Sequence, residues 1–114
     1  MADKMTRLAG PVAMSATLTT NIYQGGGGSA LVKDVVRHIH IVNKTAGAVT
    51  FSLWLGATGG NAAGTELFIG KSIAANDVFD YYCQMPMLST DFLVGGASAA
   101  TSLAITVEGL QQVV

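Results

Sequence analysis

The feature that most constrains this chain is a period of two that starts, runs for a few residues and is broken again. Over residues 48–55, Val49, Phe51, Leu53 and Leu55 fall on one side of an extended backbone, with Thr50, Ser52 and Trp54 on the other. Shorter runs rich in Thr, Val, Ile, Phe and Tyr recur along the sequence, separated by Gly, Asn, Asp and Ala-Ser clusters. Such spacing is the pattern of an antiparallel sandwich or barrel, not of strands alternating with helices.

Residues 1–11 read as a flexible N-terminal arm ending at Gly10-Pro11, and residues 12–114 as a single domain. Residues 12–23 suggest a first strand, and the Gly25-Gly26-Gly27-Gly28-Ser29 run a loose loop. That run resembles an engineered linker, yet both flanks fit one continuous domain. Residues 31–43 form a long strand, with Val35, Ile39 and Ile41 on one face and Val36, His38, His40 and Val42 on the other. Residues 44–47 read as a hairpin turn, 56–64 as a loop almost without packing side chains, and 65–73 as a strand. A turn at 74–77 leads into a strand over 78–83, which Pro86 interrupts. Residues 91–97 and 102–110 make a closing hairpin. The expectation is an all-β, jelly-roll-like antiparallel β-sandwich of about seven or eight short strands.

Composition narrows the function classes. The 114 residues allow one core and one domain. Half are hydrophobic and only 11% charged, against about 25% in an ordinary soluble domain. A surface so poor in charge is expected to be covered by partners. The net charge of −1 and six scattered basic residues give no footprint for nucleic acid. No apolar run approaches the ~20 residues of a membrane span, and the N-terminus does not read as a secretory signal. The single Cys83 rules out an internal disulfide and any multi-cysteine metal site. A cytoplasmic site of synthesis fits these features.

Candidate chemistry is sparse. His38 and His40, two apart on a strand, project from one face and offer two metal ligands. The sequence supplies no third: there is no other histidine, Cys83 is distant, and Asp34 lies about two pleats further along the same face. No metal site, cofactor or catalytic residue is therefore assigned. Gly70-Lys71-Ser72 looks like the end of a P-loop. However, Gly64 and Gly70 enclose five residues instead of four, and no helix-forming stretch follows. Cys83 follows Tyr81-Tyr82 in an aromatic strand and reads as a buried structural thiol rather than a nucleophile. No pair of acidic residues has a spacing that argues for acid–base work. Trp54, Tyr81 and Tyr82 are the candidates for an aromatic platform for a sugar; the favoured reading of Trp54 is instead that it packs under a loop or against a neighbouring subunit.

From Leu31 onward, over about two-thirds of its length, the chain resembles small β-sandwich virion structural proteins of tailed bacteriophages. The residues that carry the resemblance are the run Val35-Val36-Arg37-His38-Ile39-His40-Ile41-Val42-Asn43-Lys44-Thr45-Ala46-Gly47 and the alternating Val49 to Leu55 strand. With them come the Gly/Ala-rich loop, the Ser72-Ile73-Ala74-Ala75-Asn76-Asp77 turn and the closing Ala104-Ile105-Thr106-Val107-Glu108-Gly109. The Gly25–Gly28 run and Met85-Pro86-Met87 depart from that group. The resemblance implies a non-enzymatic virion protein, a capsid decoration (cement) subunit or else a tail or baseplate part that binds a carbohydrate or receptor. Its partners would be the major capsid protein or other virion proteins and copies of itself, in a homo-oligomer whose size the sequence does not set and for which a trimer would fit. The residues expected at the contacts are Trp54, Phe68, Tyr81, Tyr82, Met85 and Met87, with the arm as a clamp. A sugar-binding module around Trp54 and a cupin-like metalloenzyme built on His38 and His40 are the competing readings.

Overall fold

The period-two runs become eight strands in the computed structural model, which describes residues 3–113. They are β1 (Asp3–Ala13), β2 (Asn21–Gln24), β3 (Val32–Asn43), β4 (Val49–Gly56), β5 (Glu66–Ile73), β6 (Val78–Met87), β7 (Phe92–Ala97) and β8 (Leu103–Val113). Among the described residues the helical content is one short 3-10 turn at Gly25–Gly28. All strand pairs are antiparallel and form two four-stranded sheets, the first in the order β1-β8-β3-β6 and the second in the order β2-β7-β4-β5. Successive strands mostly alternate between sheets, which is the double Greek key of a jelly roll.

The inner faces close on each other through apolar side chains. Val36, Ile39, Ile41, Leu103, Ile105 and Val107 of the first sheet meet Phe51, Leu53 and Leu93 of the second, all essentially without solvent contact. An aromatic cluster of Phe51, Phe68, Phe79 and Tyr81, with ring centroids 5.0–5.6 Å apart, fills the gap between β4 and β5 on one side and β6 on the other. Edge-to-face geometry such as the 89° angle of Phe68 on Tyr81 adds attraction beyond the buried area.

Several expectations change. The N-terminal arm is, from Asp3 on, the edge strand β1, paired along its length with β8 and sending Leu8 and Ala9 towards the core; Met1 and Ala2 lie outside the described residues. The turns at 44–47 and 99–101 do not close hairpins. β3 and β4 belong to different sheets, as do β7 and β8, so both turns carry the chain from one sheet to the other. Asn43, fully buried, secures the first of these crossings. Its Nδ2 donates to the carbonyls of Gly47, Ile73 and Ala74, and its Oδ1 accepts from the backbone N–H and hydroxyl of Thr45. Pro86 does not interrupt β6, because β6 is an edge strand where a missing N–H is tolerated.

The third change sets the faces of β3. The register slips between Val36 and His38 against both neighbouring strands, leaving Arg37 as an irregularity. Val36, Ile39 and Ile41 therefore point inward, while Val35, His38, His40 and Val42 do not. Val35 and Val36 have exchanged the faces expected of them, and Asp34 turns inward, away from the histidines, to become almost completely buried.

Candidate functional site

The outer face of the first sheet carries the chain's most concentrated chemistry. The regular alternation of β6 places Asp80, Tyr82 and Gln84 outward and Phe79, Tyr81, Cys83, Met85 and Met87 inward. Register then sets Asp80 opposite His40 and Tyr82 opposite His38. The Asp80 Oδ1 atom lies 2.8 Å from His38 Nε2 and 2.6 Å from His40 Nδ1, so a single carboxylate oxygen joins both rings. All three side chains are partly accessible, at 22%, 36% and 34% of their surface. His38 also stacks flat on Tyr82, with centroids 4.4 Å apart and planes 3° from parallel, which fixes its ring plane. Hydrogen bonds from His40 and His38, in that order of weight, hold the Asp80 carboxyl below the usual carboxylate range.

The third donor group that the sequence left unidentified is thus Asp80, forty residues from His40 along the chain and directly beside it in the sheet. Only strand register reveals it, and the signal in the sequence was limited to an acidic residue on a period-two strand. The donor atoms of His38, His40 and Asp80 all lie within 4.8 Å of one another. Next to them an open basin of about 540 Å³ is lined by Met5, Arg37, His38, Tyr82, Cys83 and Gln84.

The other sequence-derived candidates scatter. Trp54 lies opposite Val94 on the outward side of the second sheet, yet it is only 5% exposed, and Val94 is fully buried. Chain connections close over this side. The segment 14–20 bonds to β7 through Ala97 N–H to Ser15 O and Gly95 N–H to Thr20 O. At Gly96 a Cβ would come within 2.6 Å of Ser15 O and 2.8 Å of Thr17 O, so only glycine fits there. The loop after β4 is tied across to β2 by Asn21, which bonds Thr58 and the Gly59 N–H. Met87 is buried in the core, and Phe68, Tyr81 and Met85 pack against it, half-buried. Burial inside the chain removes Trp54 and Met87 from the expected contacts; of the six, Tyr82 alone stands clear, at 74% exposure.

Cys83 and the Gly70-Lys71-Ser72 run are placed apart from each other by the fold. The Cys83 Sγ donates to Val36 O, and burial pushes its thiol up from its ordinary value. Gly70, Lys71 and Ser72 lie within β5, and the Gly70 N–H is engaged by Ser52 Oγ. His38 and His40 do not face the space between the sheets, where a cupin-like centre would lie; their inward neighbours Ile39 and Ile41 do, and these pack in the apolar core cluster.

No family model matches the sequence, and no curated protein matches it either. Among solved structures, the coat protein of tobacco streak virus is similar in fold. Its dimer structure superposes with a TM-score of 0.54 at 12% identity, covering 96% of this chain and 84% of that one. A second structure of the same coat protein gives the same score and identity over 98% and 86%. Infectious bursal disease virus gives 0.31 over 30% of its chain, too low to carry an argument.

Proposed function

We propose that this chain is a non-enzymatic structural subunit of a virion, working as a decoration protein laid on the head. The observation that carries the reading is co-extension: one jelly roll accounts for nearly the whole of this chain and for most of a viral coat protein. The sequence pattern shared with small phage virion proteins and the low charge point the same way. The working surface is the outer face of the first sheet, with Tyr82 on its edge strand β6. Its partners are the major capsid protein and further copies of the chain. Repetition over a symmetric lattice lets individually weak contacts add by avidity.

A tail or baseplate role is the second reading, favoured by one observation. Tyr82 borders an open basin, the arrangement on which a sugar ring could stack. Immunogold labelling of intact particles with antibody against this chain separates the two. Gold spread over the head is the expected result. Gold confined to the tail tip moves the chain to receptor recognition, and unlabelled particles overturn the virion assignment.

A further inference from the structure

The cluster on the outer face has a use that a structural subunit does not require. We propose that His38 Nε2, His40 Nδ1 and the Asp80 carboxylate form a three-ligand site for a divalent first-row transition ion, with Zn²⁺ the ion argued here.

The donor set fits such an ion. Two imidazole nitrogens and one carboxylate oxygen form a recognised ligand combination for Zn²⁺ and its neighbours, and one poorly suited to Mg²⁺ or Ca²⁺, which prefer oxygen. The scaffold fits too. The residues sit on two adjacent strands in antiparallel register, a more rigid frame than any loop, and the stacked Tyr82 ring holds His38 in plane. Glu108, opposite His38 on β8, adds a negative charge to the surroundings of a cation.

The distances require a small adjustment. Tetrahedral ligands at 2.0–2.1 Å from zinc stand about 3.3 Å apart. The present contacts of 2.8 and 2.6 Å must therefore open by roughly 0.5–0.7 Å as the ion replaces the protons between them, and the two imidazole nitrogens, which lie within 4.8 Å of each other, must settle at that same spacing. Partly exposed side chains can open by that amount through their χ angles, without moving the strands. Three protein ligands leave a coordination position open, and the basin beside Tyr82 gives it access from solvent.

Calorimetric titration of the full chain, free of any histidine tag, with Zn²⁺ tests the assignment. The expected result is one ion per chain, with affinity lowered about tenfold or more in His40→Ala and in Asp80→Asn. Mg²⁺ should produce no comparable binding. Circular dichroism establishes that each variant is folded. Should one fail to fold, NMR of the wild-type imidazoles serves instead: Zn²⁺ must shift the ring resonances of both His38 and His40. Absence of stoichiometric binding, equal binding by Mg²⁺, unchanged affinity in folded variants, or a shift at only one histidine would each overturn the site. None of these outcomes depends on where the chain resides in a particle, so the virion reading stands or falls separately.

Discussion

Asp34 Oδ2 accepts a hydrogen bond of 2.6 Å from the Gly26 N–H and another from the Tyr23 hydroxyl, in a position only 1% exposed. A buried carboxylate is costly unless it is bonded, and here it serves as the anchor of the glycine turn. Gly26, with φ of +60°, brings its backbone against Val32, where a Cβ would approach the Val32 carbonyl to 2.5 Å. Replacing Asp34 with alanine strands the buried Gly26 N–H and removes one partner of the half-buried Tyr23 hydroxyl. Urea unfolding is expected to show a loss of about 2–4 kcal/mol. The same contact makes the fold sensitive to alkali. Burial, followed by the Asp34 hydrogen bond, pushes the Tyr23 hydroxyl far above its ordinary value of 10.0. With the folded pKa raised, the folded state holds this proton more tightly than the unfolded chain. Its contribution is complete below about pH 10 and is lost as pH rises beyond that. Urea melts carried to about pH 11 should show stability falling in the wild type and falling less steeply in Tyr23→Phe.

At the scale of elements, strands were legible wherever hydrophobic period and turn chemistry agreed. Val49, Phe51 and Leu53 face the core as their alternation requires, and the turn at 74–77 lies where the sequence has Asn76, which adopts φ of +56°. What the sequence hides is pairing. Nothing local distinguishes a turn that closes a hairpin from one that crosses between sheets; the Asn43 side chain makes the difference by bonding Ile73 and Ala74, thirty residues away. Counting by twos through β3 likewise fails at Arg37, because an irregularity there reverses the faces of everything before it. Asp80 remained invisible as a partner of the histidines for the same reason: register is a property of two strands. The N-terminus is the sharpest case, since Lys4, Arg7 and Gly10 disguise an edge strand as a loose arm, charge being a common feature of edges. Its deletion provides a test. Removing residues 1–13 takes a whole strand from β8 and uncovers the core near Leu8 and Ala9. The truncated chain should lose its cooperative thermal transition, followed by circular dichroism, where a detachable clamp would leave it unchanged.

Taken as a whole, the molecule is asymmetric between its two sides. The second sheet has its outward face closed by the chain's own connections, which bury Trp54, Val94 and Ser52. The first sheet leaves its outward face open, with Met5 at 65% exposure and Tyr82 at 74% among polar neighbours. Large exposed side chains on a flat, otherwise rigid sheet are what an interface core requires. The asymmetry predicts opposite consequences for the two aromatic residues that the sequence treated alike. Trp54→Ala empties a buried site and should cost about 3–5 kcal/mol of stability, lowering the melting temperature without altering any assembly the folded fraction forms. Tyr82→Asp should leave the melting temperature nearly unchanged, because its ring lies mostly in solvent, yet should weaken incorporation into particles by placing a charge in the contact. Thermal melts paired with quantitative immunoblots of purified particles measure both effects. If Tyr82→Asp is incorporated like the wild type, the open face of the first sheet is not where this subunit meets its neighbours.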